Sequence, residues 1–240
     1  MTILATLPLL WAMTSAEAVA TLLNSPSSCG VKTYATAMAI VEKDASAGKP
    51  LQQFVFGLTS KDRARAKACL DAARPKIRQL AEQKDNPMAW YLLSMEKNDF
   101  KMLRRAADGG NVQALNALGT IATSEAFSRN NITSNELENI LSQSLDYFRR
   151  AAAKRDPNGF INLGTCYLRG FGCDPDKVLA AECFMAAAEA GHPEGMDNLS
   201  ACYQFGHGVP KDDALSLLWA MRAKALRGDE AAARWLKERK

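Results

Sequence analysis

The sequence predicts an all-α solenoid, in which tandem pairs of antiparallel helices pack edge to edge. The main observation is a repeat, because residues 162–167, Asn-Leu-Gly-Thr-Cys-Tyr, return 36 residues later as residues 198–203, Asn-Leu-Ser-Ala-Cys-Tyr. Each copy is followed by a Gly-x-Gly motif. A period of about 20 to 50 residues is typical of arrays whose units cannot bury their own apolar faces alone. No segment alternates with period two, so we predict no strand.

The first element, residues 1–18, is predicted to be a signal peptide. An apolar run from Ile3 to Met13 is followed by the small residues Ala16 and Ala18, which fit a cleavage site. The mature protein would then be periplasmic or secreted. No lysine or arginine precedes the run and Pro8 interrupts it, so the alternative is an amphipathic helix that docks on the array of a cytoplasmic protein. No other segment approaches the ~18 apolar residues of a membrane span.

Residues 19–87 are predicted to be an N-terminal helical region with degenerate repeats. Residues 51–57 have the pattern of a helix end, and residues 62–83 form a long basic helix in which Pro75 predicts a kink or a break. The net charge of the chain is only +4. Basic helix faces without interleaved aromatic residues are usually solvated surfaces, so we predict no nucleic-acid partner.

Residues 88–228 are predicted to be the solenoid itself. In its clearest unit, residues 158–169 form a first helix, helix A, whose apolar residues include Ile161, Leu163 and Tyr167. The Gly-x-Gly motif ends helix A, because glycine tolerates the left-handed conformation of a helix C-terminus. Asp176 then starts a second helix, helix B, over residues 177–190, since acidic residues stabilise a helix N-terminus.

One unit upstream, the copies of helix A are displaced by 45 residues instead of 36. About nine residues are therefore inserted, and the polar composition of residues 124–135 predicts a loop that projects from the edge of the array. At the other end, residues 229–240 are predicted to form a charged C-terminal helix. Such a helix can cap the apolar face of the last unit.

The spacing of glycines and aromatic residues resembles the Sel1-like repeat (SLR), a relative of the tetratricopeptide repeat. The matching residues are Leu163, Gly164, Tyr167, Gly170, Gly172, Asp176, Ala180, Ala187, Ala188 and Gly191 in one unit, and Leu199, Tyr203, Gly206, Gly208, Val209, Asp212 and Ala223 in the next. The resemblance implies a right-handed superhelix with helix A on its concave side. It also implies a role as an adaptor or scaffold in the assembly of complexes.

Function is therefore expected in the helix A residues that point away from their own helix B. By helical spacing, these residues are Asn162, Thr165, Arg169, Asn198, Ala201 and Phe205. An asparagine side chain both donates and accepts hydrogen bonds, so it can pair with the backbone of an extended peptide. We predict a non-enzymatic scaffold that binds a protein or peptide partner on this surface. A solvated groove wall is the alternative interpretation of each single residue.

A second hypothesis follows from secreted, cysteine-rich members of the family. Its implied function is a cell-wall-associated hydrolase or lactam-binding protein. That branch has cysteines where this chain has Ala188 and Met196, so neither its disulfides nor its activity is carried over. The two histidines, His192 and His207, fall in turns, and no metal-ligand or nucleotide-binding spacing occurs. We predict no catalytic, cofactor-binding or metal-binding residue. A third hypothesis is a structural subunit held by the N-terminal apolar segment.

The six cysteines allow one disulfide hypothesis. Cys183 lies nine residues before His192 and Cys202 lies ten residues after it, which makes them level across an antiparallel helix pair. Their Cα atoms could then approach within the ~7 Å that a disulfide allows. Free buried thiols are the alternative.

Overall fold

The computed structural model describes residues 31–239 and Leu23, with side chains in the first range from Ala37 onward. This part of the chain contains twelve helices and no strand, which confirms the all-α prediction. The helices are α1 (Val31–Ser46), α2 (Pro50–Thr59), α3 (Arg63–Lys84), α4 (Pro87–Lys97), α5 (Phe100–Asp108), α6 (Val112–Ser128), α7 (Ser134–Ala153), α8 (Pro157–Arg169), α9 (Lys177–Glu189), α10 (Pro193–Phe205), α11 (Asp213–Leu226) and α12 (Glu230–Glu238). The predicted signal peptide and Cys29 lie outside the described residues.

The chain forms two compact units, the first ending at Met102 and the second beginning at Leu103. No helix of the described residues is long and apolar enough to cross a membrane.

In the first unit, α1 packs on α2, α2 on α3, and α3 on α4. The Arg74 guanidinium of α3 bridges Asp71 and Glu96, with nitrogen–oxygen distances of 2.8 and 2.5 Å. The break predicted at Pro75 does not occur, because α3 is continuous from Arg63 to Lys84. Pro75 lies on the exposed side of α3, where water can satisfy the carbonyl that loses its backbone partner.

The second unit contains the helix pairs that the repeat predicts. Helices α6 and α7, α8 and α9, and α10 and α11 pack together as pairs, and each pair contacts the next. The A helices α6, α8 and α10 also touch one another in order. Three neighbouring A helices therefore form one continuous surface.

In each helix pair, a small residue of helix A packs against helix B. A Cβ atom on Gly164 would lie 2.7 Å from the Phe184 ring, and one on Gly119 would lie 2.5 Å from the Phe148 ring. Glycine is required at both positions because the aromatic ring occupies the space of its missing side chain. In the third pair, Ser200 takes this position and its hydroxyl donates to the Ser216 carbonyl at 2.8 Å.

The Gly-x-Gly motifs serve two different purposes. The first glycine, Gly170 or Gly206, ends helix A with a positive φ of 72° or 67°. The second glycine packs on the backbone of the preceding helix B, since a Cβ on Gly172 would lie 2.5 Å from the Leu141 carbonyl oxygen. A Cβ on Gly208 would overlap the Lys177 carbonyl oxygen. The motif thus ends one helix and docks the loop on the previous unit.

The inserted residues form helix, and the prediction of a loop over residues 124–135 was wrong. Helix α6 continues to Ser128 and α7 begins at Ser134, which leaves only residues 129–133 between them. A capping box starts α7, because Glu136 N–H donates to the Thr133 hydroxyl and Thr133 N–H donates to the Glu136 carboxylate. The insert therefore lengthens both helices of this pair.

The last helix, α12, packs on α11 and buries Ala232. Its N-cap is Asp229, which accepts hydrogen bonds from Ala231 N–H and Ala232 N–H at 2.9 and 3.0 Å.

Candidate partner-binding face

The A helices α8 and α10 carry all six residues that the sequence predicts for partner binding. We call this surface the helix A face. Four of the residues are half-buried, namely Asn162, Thr165, Asn198 and Ala201. The other two, Arg169 and Phe205, are exposed at the C-terminal ends of their helices. Because α8 and α10 touch, equivalent residues on the two helices are neighbours across the face.

Asn162 and Asn198 occupy equivalent positions one repeat apart. Within the described residues, neither side chain makes a hydrogen bond, although both are half-buried. Neither amide is among the buried side-chain atoms that lack a partner, so both amides reach solvent. Two such amides at matching places remain available to a ligand.

Thr165 and Ala201 contribute less to recognition. The Thr165 hydroxyl donates to the Ile161 carbonyl at 2.9 Å, so its proton is used inside α8. Ala201, its equivalent on α10, has no polar group. The two small side chains leave room between the asparagines and the helix ends.

Exposed aromatic rings lie at the C-terminal ends of the A helices α6 and α10, and the sequence predicted only Phe205 among them. The Phe205 ring is 63% exposed and lies 5.7 Å from the His207 ring. At the end of α6, two A helices before α10, the Phe127 ring is 59% exposed and lies 5.0 Å from the Phe171 ring. The sequence placed Phe127 in a predicted loop. The only signal for an aromatic contact there was that Phe171 and His207 occupy matching places in their Gly-x-Gly motifs.

In the repeat register, Arg169 of α8 is the equivalent of Phe205 on α10. It is exposed and forms no ion pair with any described residue. The C-terminal end of α8 therefore carries an exposed positive charge where α10 carries an exposed aromatic ring.

His192 is the N-cap of α10, but its side chain makes no capping hydrogen bond. Its Nδ1 atom is buried without a partner in the described part of the chain. Burial lowers the pKa of His192 below its ordinary value of 6.5, the carboxylates of Glu194 and Asp156 oppose this shift, and the Arg227 guanidinium adds to it. The imidazole of His192 is therefore neutral near neutral pH.

The two histidines do not form one site. His192 precedes α10 and His207 follows it, and α10 is 13 residues long. At a rise of ~1.5 Å per residue, about 20 Å separates the two ends of such a helix. A hydrolytic centre built on both histidines is therefore excluded by the fold.

The cysteines form apolar packing, and the Cys183–Cys202 bridge is absent from the structure. Both thiols are free, as are the thiols of Cys69, Cys166 and Cys173. Cys183 packs with Cys166 and Cys173 on one core cluster, whereas Cys202 belongs to the next cluster. Level spacing along the helix pair did not reveal this separation, because it says nothing about the direction of each side chain.

Burial decides the protonation of these thiols. It raises the pKa of Cys166 to about 12 and the pKa of Cys183 to about 11. A thiol is a nucleophile and a metal ligand in its deprotonated form, so these cysteines are inert near neutral pH. No group of three or more histidine, cysteine or acidic residues in the described part of the chain is placed to hold a metal ion.

A groove lies between α5 and α7. The groove is open and is lined by Arg104, Ser142, Gln143, Asp146, Tyr147 and Arg150. Arg150 donates to the Ala107 carbonyl at 2.9 Å and lies 3.8 Å from Asp146. Its charge and donors are therefore used within the fold, which makes the groove a weaker candidate than the helix A face.

Comparison with known proteins agrees with this geometry. The family model described as Sel1 repeat matches residues 141–156, 161–192 and 193–226. These segments coincide with the later part of α7, with most of α8 and all of α9, and with α10 and α11. Sel1 repeats are therefore detected in these three segments. The resemblance seen in the sequence is thus confirmed for the C-terminal part of the chain.

Two solved structures are similar to this chain. A Sel1 repeat protein from Oxalobacter formigenes is 24% identical over 53% of this chain and 90% of its own, with a TM-score of 0.46. A protective antigen present in uropathogenic Escherichia coli strains, which displays an SLR fold, is 19% identical over 85% of this chain, with a TM-score of 0.55. This chain spans 51% of that antigen, and the likeness shows the fold alone. No curated protein sequence matches.

Proposed function

We propose that this protein is a non-enzymatic scaffold or adaptor that binds a protein or peptide partner on the helix A face of its Sel1 repeats. The observation that carries the proposal is the pair Asn162 and Asn198, which are half-buried residues at matching places and whose amides make no hydrogen bond within the described residues. Repeat arrays use such continuous surfaces to hold partners.

The two amides suit the recognition of a peptide backbone. Each offers two N–H donors and a carbonyl acceptor, which is the complement of one peptide unit. Adjacent packed helices lie about 8 to 10 Å apart, so the two amides can fix an extended segment at two points. We place this surface on the concave side of a right-handed superhelix, as the family resemblance implies.

We also propose a periplasmic or secreted location, and its support is the composition of residues 1–18. N-terminal sequencing of the protein from the cells that naturally make it tests this point. A new N-terminus near Val19 is expected. An intact Met1 would exclude cleavage and favour the cytoplasm.

The binding proposal is tested by placing bulky charge on the helix A face. Asn162→Arg and Asn198→Arg together should weaken capture of the natural partner about tenfold or more, because buried interface positions tolerate an unpaired charge poorly. Partners are captured on the immobilised chain from the cells that express it. Asn139→Arg on exposed α7 is the matched control. Equal capture by all three proteins would overturn the proposal, and so would an equal loss in the control.

A further inference from the structure

We propose that one flank of helix α3 is a docking surface for an acidic segment of a partner protein, in which several glutamates or aspartates follow one another. The flank consists of Arg63, Lys67, Arg74 and Arg78, and we call it the basic flank. It belongs to the first compact unit, whereas the helix A face belongs to the second. The inference therefore goes beyond the proposed function and does not rest on it.

Helix α3 carries a strong local excess of positive charge. Its 22 residues include seven basic and two acidic side chains, although the net charge of the whole chain is only +4. Such an excess on one element raises the local concentration of negatively charged groups. The chemistry of α3 thus selects an anionic partner.

The residues of the basic flank lie in one row along a single helix. Helix α3 runs unbroken from Arg63 to Lys84. At 3.6 residues per turn, the spacings of four, seven and four residues between the members of the row keep them within an arc of about 60°. At a rise of ~1.5 Å per residue, the row is about 22 Å long. One continuous element therefore fixes the order and the spacing of these cations.

Three of the four cations on the basic flank are unpaired. Arg63, Lys67 and Arg78 are exposed, and their side chains form no ion pair or hydrogen bond with any described residue. Only Arg74 is neutralised, by its bridges to Asp71 and Glu96.

The row also contains a repulsion that an anion would remove. Arg63 and Lys67 are four residues apart, as are Arg74 and Arg78. Like charges at this spacing face each other on a helix and destabilise it. A row of carboxylates along the flank would turn these repulsions into attractions, and it would pair with the arginines in a fork geometry.

A flat anionic membrane fits α3 poorly. The apolar side of α3 is buried in the unit and cannot enter lipid. By helical spacing, the opposite side consists of exposed residues without positive charge, namely Ala68, Ala72, Pro75, Gln79 and Glu82. A flat surface meets these residues first, whereas a narrow segment can lie along the basic flank.

A single-stranded nucleic acid is also a poor fit. Proteins that bind single strands stack the bases on aromatic side chains, and α3 contains no aromatic residue. The flank therefore offers charge without a stacking surface. An acidic protein segment needs only the charge.

The probe is a fluorescein-labelled peptide of ten glutamates. In extended form such a peptide spans about 33 Å, which covers the whole row. A peptide of ten glutamines is the uncharged control. Fluorescence anisotropy with the full chain, at about 50 mM salt, measures binding. We expect the glutamate peptide to bind at least about tenfold more tightly, and this difference to shrink as the salt concentration rises.

A triple variant ties the binding to the basic flank. Arg63→Gln, Lys67→Gln and Arg78→Gln together should weaken binding of the glutamate peptide about tenfold, because they remove the three unpaired charges. The positions are exposed, and glutamine has a helix propensity close to that of arginine and lysine. Circular dichroism should therefore show an unchanged helix content.

The matched control removes the same charge elsewhere. Lys224→Gln, Arg234→Gln and Lys237→Gln change three exposed basic residues on α11 and α12 in the second unit. This variant should bind the glutamate peptide like the parent chain. Equal losses in the two triple variants would overturn the inference, and so would equal binding of the two peptides.

Competition distinguishes the other occupants. Vesicles of phosphatidylcholine and phosphatidylserine, or a strand of ten thymidylates, are added to the complex with the glutamate peptide. We expect neither to displace the peptide at an equal concentration of negative charge. Displacement by either would overturn the inference in favour of a membrane or a nucleic acid. Capture of a partner through Asn162 and Asn198 is measured separately, so failure here leaves the proposed function standing.

Discussion

At the scale of single residues, the helix N-caps show how the repeat is stabilised and where it departs from its own pattern. Asn111 and Asp156 each accept a hydrogen bond from a backbone N–H in the first turn of the helix that follows, whereas the equivalent His192 does not. A missing cap costs about 0.5–2 kcal/mol. His192 is also held neutral by burial, which makes the stability of α10 sensitive to pH.

The pH dependence has a definite sign. The folded chain lowers the pKa of His192 below 6.5, so below that pH the unfolded chain takes up a proton that the folded chain does not. The contribution of His192 to stability is complete above about pH 6.5 and falls as the pH drops toward the folded pKa. His192→Asn should remove this slope and add about 1 kcal/mol through a new cap. Urea denaturation at about pH 5 and 7.5 measures both effects. Identical slopes in parent and variant would contradict this assignment.

A second residue-scale prediction concerns the glycine that docks each loop on the preceding unit. Gly208 and Gly191 both have positive φ, at 74° and 83°, but only Gly208 faces backbone that a methyl group would overlap. Gly191→Ala should therefore cost about 1 kcal/mol for the left-handed backbone alone. Gly208→Ala should cost roughly 2 kcal/mol more, because the loop must move. Urea denaturation of both variants measures the difference, and equal costs would show that the loop is not docked on α9.

At the scale of elements, the repeat pattern predicts the helix pairs well and their lengths poorly. Positions that recur, such as Gly164 opposite Phe184, carry a packing rule that can be read from the sequence. The helical extension at residues 124–128 does not recur, and its polar residues look like a loop until the capping box at Thr133 is considered. The break predicted at Pro75 does not occur, because Pro75 lies on the exposed side of α3 and the helix continues through it.

The candidate site was predictable to a similar degree. Helical spacing placed Asn162 and Asn198 on one surface because both lie on regular A helices. It missed Phe127, whose position depends on the insert, and it paired Cys183 with Cys202 although their side chains lie in different clusters. Side-chain direction and contacts between distant segments are set by packing, which a repeat period does not encode.

The terminal helix α12 gives the element-scale prediction. Ala232 is 3% exposed where α12 packs on α11, while its neighbour Ala231 is exposed. Ala232→Glu should cost about 2 kcal/mol or more, because it buries an unpaired charge in the last interface of the array. Ala231→Glu should be nearly neutral. Urea denaturation of the two variants is the measurement, and a neutral Ala232→Glu would show that α12 does not depend on this contact.

At the scale of the whole molecule, the second unit is an array in which the A helices α6, α8 and α10 touch in order. In such an array each helix pair packs on the neighbouring pairs. A partner that spans several pairs therefore binds to a surface that no single pair provides. The free amides of Asn162 and Asn198 and the exposed Arg169 and Phe205 lie on this surface. Partner binding is therefore expected along the A helices.

Hydrogen–deuterium exchange of the chain with and without its captured partner tests this claim most directly. Amide protection reports which helices a partner covers, because covered backbone opens to solvent less often. The partner should add protection along α8 and α10, including their C-terminal ends, and should leave the exposed faces of α7, α9 and α11 unchanged. Added protection confined to α7, α9 and α11 would contradict it.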